Sequence, residues 1–404
     1  MDDSMLGGVR VLDLANENGV NSTKCLANLG AEVIKVEPPQ GDGTRFIAPF
    51  AGGEKHAEKS LFHAHHNGGK KSITLDYTKG RGKEVFLELV KESDVLVETS
   101  SPGTMESIGL DYESLKKINP KLIMCSITPF GQKGPYAKWN ASSDIVPFAL
   151  HGAMFEYGSP GREPLQMGLN MVANGAGLYA VVGILSSLYA RNIDGVGDYL
   201  DISLSKVMNS WRNVAHGLSQ YTGSIPQRTG AQGMFAPSNF FECKDGYVYL
   251  VSSGHWSNLI EWMKEMGVDI GDKDDPKYLV DMGSNKHLFE EIDLVNQMVN
   301  ELTRQFTMQE CVEEGQRRAI PFGSLETPET MLGNPHYKAR EMFVDSEHPV
   351  IGSYKATGSP IKFSGAEMNT AIRAPLLGEH NEEIYVNAGL TMSEILQLKE
   401  QAVI

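Results

Sequence analysis

The turn Gly168-Leu-Asn-Met-Val-Ala-Asn-Gly-Ala-Gly177 feeds an apolar run that reaches Leu185, and nothing in it can act as a nucleophile. Elsewhere, His63-Ala-His-His66 invites a metal reading, because His63 and His66 can share a helical face, but no second ligands of suitable type stand nearby. The basic pairs Lys70-Lys71 and Arg317-Arg318 read as solvated charge when taken alone. Cys25, Cys125, Cys243 and Cys311 show neither CxxC nor Cys/His metal spacing, so buried thiols in a reducing compartment suit them best.

The elements that must position these groups are legible. Val9–Leu14, Ala31–Glu37, Lys71–Asp76, Asp94–Glu98, Leu122–Ile127 and Tyr199–Ser203 read as strands. Ser22–Leu29, Gly80–Lys91, Tyr112–Ile118, Leu178–Ala190 and Ser205 to Tyr221 read as helices between and after them, and Leu178–Ala190 is apolar enough to be buried. This alternation predicts an α/β fold with a doubly wound parallel sheet. Phe240–Val251 reads as a hairpin turning at Lys244-Asp-Gly246, short helices fill Trp256 to Cys311, Ile361–Phe363 reads as a strand, and an acidic helix spans Ser393 to Gln401. The expected division is 1–224 as the first part of a large domain, 225–325 as a smaller α+β domain, and 326–404 as a return to the first.

At 404 residues the chain exceeds the size at which single cores usually stop growing, about 250–300 residues. Its 41% hydrophobic and 22% charged content is that of a globular protein. A net charge of -15 argues against nucleic acid, whose binding relies on neutralising phosphates. No apolar run reads as a membrane span and the N-terminus lacks a signal-peptide pattern, so the expected location is cytoplasmic.

Arg10–Leu14 with Leu29–Glu37, Asn67–Asp76, Pro102-Gly103 with Gly109–Tyr112, Asn119-Pro120, Phe130-Gly131 and Gly134–Tyr136 resemble, in order, the family III CoA-transferases. The likeness continues through Gly177–Ile184, Asn334–His336, His348-Pro349 and Leu377–Ile384. It implies two chains threaded through each other as linked rings. It also implies ping-pong transfer of CoA between carboxylic acids, through an aspartyl anhydride and an aspartyl-CoA thioester, with the CoA thioester as substrate and no tightly bound cofactor or metal. Only an acyl group on the enzyme can carry CoA between half-reactions, which is why the nucleophile is a carboxylate.

Four residues before Gly177, the position that the resemblance assigns to that aspartate holds Ala173, with Asn174 beside it. An alanine has no oxygen and an amide is a very poor nucleophile, so no catalytic residue is expected in this chain. Ala173, Asn174 and Gly175 read locally as a tight helix entry with Asn174 as N-cap. The family's Glu-Asn-Phe-x-Pro-Gly is Glu98-Thr-Ser-Ser-Pro-Gly103 here, which puts Thr99 where an asparagine lines the site and Ser107 where an arginine meets CoA. The early loop reads Asn16-Glu-Asn-Gly-Val-Asn21 and brings Asn18 to the thioester. Several departures at one site point to natural divergence.

The resemblance places Arg45, Lys70 and Lys71 at the phosphates of CoA, and Arg228, Gly230 and Gly233 where a mobile loop closes over the thioester, although with so few glycines the stretch reads equally as a plain linker between domains. The expected function is that of a non-catalytic subunit in a heteromer, paired with a catalytic paralogue. Leu122–Gln132 resembles the branch that moves CoA from succinyl-CoA to an aromatic succinate such as benzylsuccinate. Two other readings stand beside it. One is an acyl-CoA racemase-like isomerase using His151 or Glu156 as its base, and the other is a structural or regulatory partner with an empty site.

Overall fold

A computed structural model describes residues 4–78, 80–139, 141, 144–168, 170–211, 213–233, 236–251, 255–275, 288, 290–366, 368, 370 and 372–404. In chain order the first elements are β1 (Arg10–Leu14), α1 (Val20–Asn28), β2 (Glu32–Glu37), α2 (Leu61–His66), β3 (Lys71–Thr74), α3 (Gly80–Lys91) and β4 (Val95–Glu98). Then come α4 (Thr104–Ser107), α5 (Tyr112–Leu115), β5 (Ile123–Thr128), α6 (Ile145–Leu150), α7 (Ala153–Glu156), α8 (Met171–Asp194), β6 (Tyr199–Ser203), α9 (Leu204–Ser210) and α10 (Asn213–Thr222). The remainder holds β7 (Ser238–Cys243), β8 (Gly246–Val251), α11 (Trp256–Glu265), α12 (Ile292–Thr303), α13 (Met308–Arg317) and β9 (Phe322–Ser324). It closes with α14 (Pro328–Gly333), α15 (Pro335–Ala339), β10 (Phe343–His348), β11 (Gly352–Thr357), α16 (Asn381–Asn387) and α17 (Met392–Glu400).

Two compact units result: one from Met1–Ala153, Gln166–Ser224 and Pro335–Ile404, the other from Met154–Leu165 and Ile225–Asn334. In the first, six parallel strands lie in the order β3-β2-β1-β4-β5-β6. Their buried runs, such as Val95–Glu98 and Ile123–Thr128, lack the polar alternation of a one-faced sheet, as expected where helices cover both faces. Helix α3 packs Val85, Phe86, Leu89 and Val90 into the core beside Leu12, Ile34 and Ile73. Each such large apolar side chain contributes roughly 1.5–3 kcal/mol by leaving water. The C-terminus completes this core with Ile384, Tyr385 and Leu398, and the Tyr385 hydroxyl donates to the carbonyl of Thr74.

The second unit carries the antiparallel sheet β7-β8-β9, whose core includes Phe241, Val248, Trp262, Met298 and Phe322. Strand β9 joins the expected hairpin as a third strand, and residues 276–287 and 289 of the expected helical stretch lie outside the described residues.

The structure corrects several expectations. Ile361–Phe363 forms no strand; the tail instead holds the hairpin β10-β11. The helix expected at Tyr112–Ile118 ends at Leu115, and the one expected from Ser205 to Tyr221 divides into α9 and α10. Helix α8 is 24 residues long, starts seven residues before Leu178, and is long and apolar enough to cross a membrane by composition. Half of that apolar window is buried in the unit, so the expectation of no span-length run needs correcting for α8, as does that of burial all round.

Candidate active site

A parallel sheet of this order offers a crevice where the connections leave in opposite directions, outside the carboxyl ends of β1 and β4. The loop after β1 and the loop after β4 meet there: the Asn16 amide donates to the Thr99 hydroxyl at 2.9 Å. Asn16 Oδ1 in turn accepts from the Asn18 amide at 3.0 Å, an Asx turn that fixes the loop before α1. Helix α1 then meets α8, where Asn21 Nδ2 donates to the carbonyl of Asn174 at 3.1 Å. Asn18, Thr99, Ala173 and Asn174 are therefore brought into one neighbourhood by three separate stretches of chain.

The small residues of the opening turn are explained by close packing. A Cβ on Gly177 would lie 3.0 Å from both Asn21 Cβ and the Ser22 amide nitrogen, and one on Gly175 would lie 2.0 Å from the Trp211 ring. Ala173 is 3% exposed, within the first turn of α8. The N-cap is Asn170, in the left-handed region at φ 49°, and Asn174 lies inside the helix, which corrects the expected cap. Leu169 of the quoted turn lies outside the described residues.

A carboxylate does reach this helix end, from a residue the sequence reading missed. Asp144 accepts from the Val172 amide through Oδ2 and from the Ala173 amide through Oδ1, each at 2.9 Å. It is 5% exposed. Burial holds its carboxyl above the usual carboxylate range, against the pull of the two amides. Nothing periodic links position 144 to position 172, so no local signal could have revealed the pairing.

The cations expected at CoA phosphates are engaged otherwise. Arg45 is fully buried and makes a bidentate pair with Glu37 at 2.6 and 2.8 Å, a third bond to Glu58 at 2.8 Å and a fourth to the Pro375 carbonyl. Lys70 Nζ donates to Asp13, Thr23 and Asn67 at 2.7–2.9 Å, which uses all three ammonium protons. Burial pushes Lys70 down to about 8, with Asp13 opposing. Lys71, half-exposed, bridges Glu32 and Glu383 at 2.8 and 2.6 Å. These three side chains hold β2 and β3 to their surroundings.

A cavity of about 330 Å³ opens beside β4 and β5, lined by Glu98, Ser100, Ser101, Tyr112 and Tyr199 among others. Glu98 is buried, accepts from the Ser100 amide at 2.7 Å, and is held above its ordinary value by desolvation. Ser107 lies exposed on α4, its hydroxyl bound to the Thr104 carbonyl. His151 Nε2 is 2.6 Å from the Ser205 hydroxyl. In the second unit, Arg228 donates to the Phe155 carbonyl at 2.9 Å, Gly230 to that of Gly158 and Gly233 to that of Ser238, so this loop is tied to its own unit. His63 and His66 are buried on α2, and no group of three potential metal ligands exists among the described residues.

Residues 6–381 match the model of CoA-transferase family III. The formyl-CoA:oxalate CoA-transferase of Streptomyces coelicolor is 32% identical, with all of both chains covered. The succinyl-CoA:(R)-benzylsuccinate CoA-transferase subunit BbsE of Thauera aromatica is 29% identical over 96% of this chain and 95% of that one. A crystal structure of a CAIB/BAIF family protein from Brucella suis superposes with a TM-score of 0.83 at 32% identity, covering 95% of this chain and 99% of that chain.

Proposed function

The chain belongs to CoA-transferase family III, and from that premise we propose that it is the non-catalytic subunit of a heteromeric, cytoplasmic CoA-transferase whose paralogous partner supplies the nucleophilic carboxylate. The observation that carries the reading is Ala173: a buried methyl group stands at the position assigned to the nucleophile, and the adjoining amides are already bound by Asp144. A buried carboxyl whose two oxygens are both bound by backbone amides has its lone pairs engaged and is poorly placed to attack a thioester. The proposal keeps Asn18 and Thr99 at the thioester crevice, and it does not draw on Arg45, Lys70 or Lys71 for the phosphates.

The partner has a surface to meet. Leu178, Val182, Tyr189 and Ile193 recur along the outer side of α8 at helical spacing and are all exposed, Ile193 to 76%. Such a stripe on a chain of net charge -15 suits a protein interface better than open water. Threading of the two chains through each other belongs to the same proposal. By its likeness to the benzylsuccinate transferase subunit, the donor is succinyl-CoA and the acceptor an aromatic succinate.

Gentle affinity purification with native mass spectrometry tests the reading. A stoichiometric partner of similar mass with an aspartate at the matching turn is the expected result, together with no acyl-CoA exchange by this chain alone. A homodimer that exchanges succinyl-CoA by itself would overturn it.

A further inference from the structure

The buried cations of the first unit each face a carboxylate: Arg45 faces Glu37, Lys70 faces Asp13, and Lys35 faces Asp42 at 3.6 Å. Lys24, half-buried on α1, faces none among the described residues. Among the described residues its ammonium makes one polar contact, donating to His65 Nε2 on α2 at 3.0 Å. Partial burial pushes Lys24 down to about 8, and the exposed His65 beside it offers no opposite charge. An ammonium partly withdrawn from water without a counter-charge at the mouth of a cavity is favoured by an anion placed beside it.

The space for that anion is present. Lys24 and His65 line a cavity of about 290 Å³ bounded by α1, α2 and β11. Leu61, Ala64, Ala356 and Ile372 give it apolar walls, and Tyr354 and Thr357 add hydroxyl groups. Lys355 also lines it and, among the described residues, is held by an exposed pair with Asp345, a kind of contact that exchanges readily. Apolar walls with one fixed cation and a few hydroxyls suit a carboxylate on a short carbon chain; a phosphate dianion wants several converging donors.

We propose that this cavity binds the carboxylate of a small organic acid, either free or as the far end of a dicarboxylate carried on CoA, with Lys24 as its counter-ion. The inference stands on the cavity and does not need the missing nucleophile. Its failure would leave the subunit reading in place, because that reading is tested by partner capture and exchange.

Calorimetric titration of the full chain with succinate, succinyl-CoA and acetyl-CoA at low ionic strength tests it. Saturable succinate binding is expected, weakened at least about tenfold by Lys24→Met and preserved by Lys24→Arg. Ile372→Glu, at a 52% exposed position on the rim, should weaken it as well by like-charge repulsion. If succinate fails but succinyl-CoA binds more tightly than acetyl-CoA and loses that advantage in Lys24→Met, the site takes the tail of the thioester. Binding of both probes unchanged in Lys24→Met, or binding of neither, overturns the proposal.

Discussion

Ala173 and Asp144 together set what can be expected of single substitutions at the helix start. Replacing Ala173 with aspartate puts a second carboxyl beside the one that already binds the Ala173 amide. Two carboxyls at one buried site cannot readily both ionise, so they share a proton, and the loops around the site lack the residues that the resemblance assigns to thioester binding at Thr99 and Ser107. Ala173→Asp should therefore show no acyl-CoA exchange in a radiolabel assay; full transfer by that variant would mean that the rest of the site is intact. Lys70 makes a different prediction. Lys70→Met takes from buried Asp13 the cation hydrogen-bonded to it, leaving Lys35 as its remaining counter-charge, and should cost up to about 3–5 kcal/mol in urea denaturation. Lys70→Met combined with Asp13→Leu should recover much of that loss, because the unpaired charge goes with its partner. The sequence revealed Lys70 as a cation before a strand but not its three partners, since Asp13, Thr23 and Asn67 reach it only through the fold.

Helices α1 and α8 approach closely because Gly177 has no side chain, so Gly177→Val should overpack their contact and cost about 1–3 kcal/mol, seen as a lower melting temperature. Helix α2 carries a pH dependence of stability. Burial holds His66 down to about 2, and His63 well below its usual value. Both rings are neutral in the folded state, whereas the unfolded chain takes up protons near pH 6.5. Their stabilisation is thus complete above about pH 6.5 and is lost as pH falls below it, at about 1.4 kcal/mol per pH unit for each histidine. Melting temperatures between pH 7 and pH 5 should fall less steeply in His66→Phe than in the parent chain; an unchanged slope would show that His66 is not buried neutral. At this scale the strands were readable, because β6 at Tyr199–Ser203 and its neighbours are short apolar runs between turn signals. The hairpin β10-β11 was not, because Phe343-Val-Asp-Ser-Glu-His348 runs from two apolar residues into four polar ones and carries no period-two alternation.

The molecule as a whole presents Leu178, Val182, Tyr189 and Ile193 to its surroundings, and a change there should act on assembly. Val182→Glu with Ile193→Glu should abolish partner capture while leaving the circular dichroism of the isolated chain unchanged; retained capture would move the interface elsewhere. The chain order of the six parallel strands, the acidic charge and the lack of any nucleophile at the helix entry follow from residue type and local spacing and were legible in the sequence. It could not determine which charges meet. The pairing of Arg45 with Glu37, the arrival of Asp144 at the amides of Val172 and Ala173, and the isolation of Lys24 beside His65 were decided by tertiary structure alone. The physical reason is that a charge's role depends on what lies within a few ångströms once water is excluded, and the parallel sheet brings together residues that local sequence patterns cannot connect.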